Sequence, residues 1–471
     1  MSAWDGTRRP PRGTAHELER YTGLFAARTE RMRSSAIRDL MAITERPEII
    51  SLAGGLPDTT MFEPEFFRSL MNGVSNDSLA QALQYGPTEG LQAVKECIVE
   101  LMAAEDMPVA ADELIVTTGG QQAIDLVCKT LLDPGDVVIA EGPTYPGAVP
   151  AFCSYEADLV QIEMDGDGMQ IDLLEQTLDA LAAEGRRPKF IYTIPTFQNP
   201  AGVSMSLPRR RRLVALARER ELLILEDNPY SMLRYEGDPL PTLRSLEVPR
   251  GSRDGGDFVI YTGTMSKILS PGIRVGWVVA PRPVLAKLQL GKQSADLCSS
   301  SLAQHFVAAY FASGDWREYI ELFRDRYRRR RDAMLDALAT YLPEEARWTH
   351  PGGGLFIWVT LPDYIDTTDL LARALRENVA FVPGEAAFDD GRGHNSMRLN
   401  FSSSSEDEIR EGILRIGKIV NEQVAIYRSL TAGKARPALP DDLPAASPGA
   451  EVVSLPRRTE GARSRSRSRE R

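Results

Sequence analysis

The sequence predicts an α/β protein, with a mostly parallel sheet covered by helices on both faces and a second, smaller α+β domain. Two patterns predict it. From about residue 90 to 280, short apolar stretches alternate with amphipathic ones, the order expected of repeated βαβ units. Beyond Pro281 strands become sparse and helical stretches lengthen. A third observation says where ligands go: residues fit for binding fall just after the strands, the ends at which open parallel sheets hold ligands.

In chain order, the 471 residues suffice for two or more domains. Residues 1–33 carry Arg8, Arg9, Arg12, Arg20, Arg28, Arg31 and Arg33 and read as a flexible N-terminal arm. Ser34 to Ile43 has helical periodicity and opens a large domain expected to reach residue 310. Ser51-Leu-Ala-Gly-Gly-Leu-Pro-Asp58 is a loop where backbone can approach a ligand closely. Strands are expected at Leu114–Thr118, Val137–Ala140, Phe190–Ile194, Leu222–Glu226, Phe258–Thr262 and Val275–Ala280. Helices are expected at Gln121–Leu132 and Arg209–Glu221. Further helices are expected at Val284–Leu297 and at Leu302–Tyr341, with a break at Gly314. A small domain, 311–430, follows with strands at Gly353–Thr360 and Met397–Phe401 and a helix at Thr367–Glu377. The run Arg326-Tyr-Arg-Arg-Arg-Arg331 reads as the solvated face of its helix. The segment 431–471 ends in alternating Ser and Arg and should be disordered.

Composition narrows the function. Forty-three per cent apolar and 26 per cent charged residues are ordinary globular usage. A net charge of −11 gives no reason to expect nucleic acid or an anionic membrane as partner. No apolar run approaches the roughly 20 residues that span a bilayer, and Met1–Gly13 lacks the apolar segment of a secretory signal, so a cytoplasmic location is expected. Cys97, Cys128, Cys153 and Cys298 are dispersed, as are His16, His305, His350 and His394; neither set has metal-ligand spacing, and no metal is expected.

Five stretches carry chemistry. Tyr261-Thr-Gly-Thr-Met-Ser-Lys267 runs a strand into a hydroxyl-rich turn that ends on a lysine, and Arg274 follows. That suits an amine nucleophile beside a phosphate, although two solvated cations on a loop would look the same. Thr118-Gly-Gly-Gln121 stands between a strand and a helix, where backbone N–H groups and the helix dipole favour an anion. A plain turn with a helix cap fits it too. Tyr145, between Pro143 and Pro146, could stack on a planar ring, or simply sit in a Pro-rich loop. Asn199-Pro200 offers a rigid amide, and Asp227 with Tyr230 gives an acid and a phenol three residues apart. All five occupy strand carboxyl ends of one sheet, a coincidence no single motif has.

With these motifs the chain resembles the fold-type I, class I/II pyridoxal-phosphate aminotransferases, nearest the kynurenine/2-aminoadipate group. The resemblance spans about residues 34–430 and is carried by S-L-A-G-G-L-P at 51, L-Q-Y-G-P-T-E-G at 83 and N-P-A-G at 199. E-D-N-P-Y at 226, S-K-I-L-S-P-G-I-R-V-G at 266, P-G-G-G-L-F-I-W at 351 and M-R-L-N-F-S at 397 complete it. It implies a seven-stranded sheet, pyridoxal 5′-phosphate as cofactor, and transfer of an amino group from an L-amino acid to a 2-oxo acid, 2-oxoglutarate being the expected acceptor.

The resemblance also implies roles. Lys267 would form the Schiff base and shuttle the proton, Asp227 would pair with the pyridine nitrogen, and Tyr145 would stack on the ring. Asn199 and Tyr230 would hold the phenolic oxygen, while Gly120, Gln121, Thr264, Ser266 and Arg274 would cradle the phosphate. Arg398 would clamp the substrate carboxylate through bidentate geometry. Residues 34–60, with Gly55, would cover the substrate; Arg38 is either a partner for a distal carboxylate or a helix-surface cation. Tyr85 would reach the phosphate of a neighbouring subunit, implying a homodimer with shared sites. Gly120 departs from the hydroxyl residue many relatives carry, and Thr264 replaces the commoner serine. The alternatives on this scaffold are an oxidase, cyclase or lyase, or a cofactor-binding regulatory domain.

Overall fold

The computed structural model of the protein describes residues 21–32, 40, 46–77, 79–248 and 256–432. Most of the N-terminal arm, Arg38 and the Ser/Arg tail lie outside the described residues. The described residues up to Gln423 form one compact unit; of the unit from Val424 onward, 424–432 are described and are helical.

The early strands are β1 (Ile50–Ser51), β2 (Leu114–Thr117), β3 (Val137–Gly142), β4 (Asp158–Asp165), β5 (Gly168–Met169), β6 (Pro188–Thr193) and β7 (Leu223–Asp227). Then come β8 (Val259–Thr264), β9 (Gly276–Val279), β10 (Arg347–Trp348), β11 (Phe356–Thr360), β12 (Val379–Ala380), β13 (Val382–Pro383) and β14 (Ser396–Asn400). The main sheet runs β2-β9-β8-β7-β6-β3-β4-β5. Its central strands pair in parallel, from β4 through β3, β6 and β7 to β8. β5 is a two-residue return piece antiparallel to β4, and without it the sheet has the seven strands expected. β9 is antiparallel to both β2 and β8. Its first residues therefore lie at the same sheet edge as the carboxyl ends of its neighbours.

β2, β3, β8 and β9 are buried along their whole length. Apolar runs such as Leu-Ile-Val-Thr and Val-Val-Ile-Ala suit strands covered on both faces, each fully buried aliphatic side chain contributing about 1.5–3 kcal/mol. One core cluster joins Val116, Trp277 and Val279 to the helical residues Val94, Ile98 and Phe306. Another joins Ile139, Ile191 and Ile224 to Leu174, Leu178 and Leu213. β4 was not expected: only Ile162 of its eight residues is fully buried, and Asp158, Glu163 and Asp165 disguise it.

A second sheet, β10-β11-β14-β13, is wholly antiparallel and carries Arg398 on β14. β1 pairs in parallel with β12, which fixes the start of the 51–58 loop. Among the described residues no helix is long and apolar enough to cross a membrane.

Several boundaries move. The helix expected from Gln121 runs Gly119–Leu131, so the two glycines form its first turn. The 302–341 stretch is two helices, Ser301–Ala312 and Trp316–Tyr341, parted at Gly314 with φ +81°. The reading of Arg326–Arg331 as a solvated face is corrected. Six consecutive residues wrap nearly two helical turns and cannot share one face; Tyr327, Arg330 and Arg331 are buried, and only Arg328 and Arg329 are exposed.

Candidate active site

The ends of β2, β3, β6, β7 and β8 and the beginning of β9 converge with Arg398 around a cavity of about 280 Å³. Its lining includes Gly55, Gly120, Gln121, Tyr145, Asn199, Asp227, Tyr230, Thr264, Ser266, Lys267, Arg274 and Arg398. A larger groove of about 770 Å³ lies elsewhere, around Glu105, Arg234 and Arg324, and holds none of them.

One corner is built by close approach. Gly119 has φ +75°, a conformation that side chains rarely adopt, and a Cβ there would stand 2.5 Å from an Arg274 Nη in its present place. Arg274 itself sits at φ +54° after the turn Pro271–Ile273. It donates to Pro271 O and Thr118 O, each at 3.3 Å. The Ser266 N–H donates to Thr264 Oγ1 at 3.1 Å, and the two hydroxyl oxygens are 2.9 Å apart. Gln121 Nε2 donates to Gly147 O at 2.9 Å. Gly147 in turn leaves room for Tyr145, whose ring would be 2.3 Å from a Cβ at that position.

The opposite side holds the titrating groups. Asp227, at the end of β7, accepts from the Tyr192 hydroxyl at 2.7 Å. Burial raises its carboxyl to about 6, against the pull of that hydrogen bond and the charge of Lys267. It is thus ionised at neutral pH. Lys267 follows β8 and donates from Nζ to Gly55 O at 2.6 Å. Burial first, then the charges of Arg398 and Arg274, bring its amine down to about 8, while Asp227 opposes them. A usable fraction of neutral amine therefore exists near neutral pH.

Arg398 is 2% exposed. It donates to Asn199 Oδ1 at 3.0 Å and to Ala53 O at 2.8 Å, and lies 4.3 Å over the Phe356 ring. Its Nε is buried and has no partner among the described residues. Desolvation lowers its pKa to about 10, which leaves it charged. Asn199 Nδ2 is 3.5 Å from Tyr230 Oη, and burial pushes the Tyr230 and Tyr145 phenols up.

One described residue of the predicted set does not line this cavity. Tyr85 is 79% exposed and does not line it, and Arg38 lies outside the described residues. Two residues were missed. Tyr192 supports Asp227 from the neighbouring strand, a proximity set by sheet pairing that no sequence spacing encodes. Phe356 stood in the P-G-G-G-L-F-I-W motif without a role, and its ring lies beneath the Arg398 guanidinium.

This set of residues fits pyridoxal 5′-phosphate. The glycine-backed corner of hydroxyls and Arg274 suits a phosphate, Asp227 suits a protonated ring nitrogen, and the low-pKa Lys267 suits an aldehyde. The orphaned Arg398 Nε leaves a donor for one more anion.

Comparison with known proteins agrees. The family "Aminotransferase class I and II" matches residues 70–416. Aromatic-amino-acid aminotransferase 1 of Thermococcus litoralis is 42% identical over 405 residues, covering 86% of this chain and 95% of the relative. The 2-aminoadipate transaminase of Thermus thermophilus is 38% identical over 403 residues, covering 85% and 98%. The crystal structure of Pyrococcus horikoshii kynurenine aminotransferase, solved with PMP, superposes with a TM-score of 0.81 at 41% identity, covering 87% of this chain and 99% of that one. All three bear aminotransferase names, and none favours the oxidase, cyclase or lyase alternatives. The chain belongs to the class I and II aminotransferases, and it is a pyridoxal-phosphate-dependent enzyme of amino-group transfer.

Proposed function

We propose that the cavity residues act as a ping-pong transamination site whose donors are aromatic amino acids or 2-aminoadipate-like acids, with 2-oxoglutarate as acceptor. The relatives' names supply those donor classes. The observation that carries the assignment of roles is the pairing of a depressed Lys267 amine with an ionised Asp227 in one cavity. When bound, the cofactor supplies an aldehyde for amine exchange and a ring that takes up electron density from the donor Cα.

The chain's own residues do the rest. Lys267 Nζ would accept the proton from the donor Cα and hand it on to the carbon that bears the cofactor's aldehyde. Asp227, ionised above about pH 6, holds the proton on the ring nitrogen. Tyr192, whose phenol stays protonated because burial raises its pKa, orients that carboxylate by donating to it. Arg398 takes the substrate carboxylate on the donors now shared with Ala53 O and with the free Nε. Tyr145 stacks on the ring; Tyr230 and Asn199 donate to its oxygen. Gly120, Gln121, Thr264, Ser266 and Arg274 hold the phosphate.

Tyr85 is exposed beside Leu83 and Leu79, apolar residues that are 70% and 46% exposed. That surface supports a homodimer in which Tyr85 serves the neighbouring site. Residues 34–310 would then form the cofactor domain and 311–430 the smaller one.

The test is to mix the holoenzyme with single amino acids and follow the cofactor's visible absorbance. Phenylalanine, kynurenine or 2-aminoadipate should bleach the band, and 2-oxoglutarate should restore it with stoichiometric glutamate. Oxygen consumption, or oxo acid without glutamate, would refute the assignment.

A further inference from the structure

Between β1 and the turn Thr59–Met61 the chain passes over the cavity, contributing Gly55 and Leu56 to its wall. Three successive carbonyls of this loop receive the site's cations: Ala53 and Gly54 from Arg398, and Gly55 from Lys267. The loop makes little regular structure of its own. Something else holds it in place.

That anchor is Asp58, 7% exposed. Its Oδ2 accepts from Arg330 at 2.9 Å and from Arg326 at 3.1 Å. The Asp58 N–H donates to the Tyr327 hydroxyl at 2.8 Å. Arg330 also donates to Ser402 O, and Ser402 Oγ donates to Leu56 O at 2.7 Å. The contacts close a circuit from Asp58 through Arg330 and Ser402 back to Leu56, two residues from where it began. Burial pushes the Asp58 carboxyl up, but hydrogen bonds from Thr60 and Arg326 and the charge of Arg330 outweigh it and hold the group below the usual value. A buried ion pair adds little net stability over an apolar contact, but it penalises every arrangement that separates the charges. It therefore suits fixing a position.

We propose that Asp58, Arg330 and Tyr327 are positioning residues that set where Gly55 and Leu56 sit over the cavity, and thereby which donor side chains the enzyme accepts. This gives a use to the arginine-rich helix segment, which no catalytic role absorbs. It builds on the roles proposed above for Lys267 and Arg398.

The test uses Asp58→Asn, which keeps the shape and removes the charge. In the holoenzyme, KM for large donors such as phenylalanine should rise about five-fold or more, with kcat within about two-fold and KM for alanine nearly unchanged. In the cofactor-free protein, amide hydrogens across residues 52–58 should exchange about ten-fold faster than in wild type. Tyr327→Phe should show the same pattern, weaker. A lowered melting temperature with KM and exchange unchanged would overturn the proposal and leave a merely structural ion pair. Should Asp58→Asn fail to fold, Tyr327→Phe and Arg326→Gln are judged by the same two criteria. If wild type converts no amino acid, the functional reading fails on its own, and exchange in the cofactor-free protein still decides the anchor.

Discussion

Two groups of cations, one along a helix and one at the sheet edge, have different partners. Along the helix Trp316–Tyr341, Arg326 and Arg330 pair with Asp58, and Arg331 with Glu236 and Asp332. At the sheet edge, Lys267, Arg274 and Arg398 have no carboxylate within ion-pair distance among the described residues; their partners are carbonyl oxygens and an amide. The one carboxylate there, Asp227, is held by a neutral phenol. The helix cations are neutralised within the fold. The sheet-edge cations, left with neutral partners at the cavity, keep their capacity for a ligand.

Substitutions can break or sharpen this contrast. The largest effect is expected of Asp227→Asn, which should lower kcat/KM by about 10³-fold. The same change should make the cofactor-free protein more stable, by up to about 3 kcal/mol. The sign follows from the raised pKa: the folded state keeps a proton near pH 5 that the unfolded chain releases near 4. Stability from this group is thus full below about pH 4 and lost as pH rises through about 6. Denaturant melts should show the variant's advantage above pH 6, and none below 4. Arg398→Lys comes next, with kcat/KM reduced about 100-fold, mostly through KM, because an ammonium cannot present the two-pronged donor set. Steady-state kinetics on wild type and variant separate the two terms.

The smallest functional effect is expected of Arg331→Met. It should lower stability by about 1–3 kcal/mol, since Pro351 O loses a buried donor, yet leave kcat/KM within about two-fold. A large activity loss here, or a purely structural effect of Arg398→Lys, would erase the distinction between the two groups of cations.

Much of the site could be read from the sequence because its parts sit at strand ends, where local chemistry and chain position coincide. Lys267, Asp227, Asn199, Tyr145 and Arg274 each follow or precede an apolar run, and the fold carries all five to one cavity. Arg398 lies in the middle of β14, and only the family motif marked it. What the sequence concealed depends on pairing across distance. Tyr192 reaches Asp227 between strands, and Arg330 meets Asp58 across 272 residues, so a run of arginines looked like a wet surface. β4 was hidden by the charges on its exposed half, and the reversal of β9 has no local signature.

The most direct test of the account is to reduce the holoenzyme with borohydride, digest it and locate the cofactor by peptide mass. The cofactor's mass should appear on Lys267 in the peptide containing Ser266 and on no other lysine, the fully buried and ion-paired Lys292 included. Label on a different lysine, or none on Lys267 in a preparation that turns over donors, would contradict the claim that an unneutralised buried amine at the sheet edge is the reactive one.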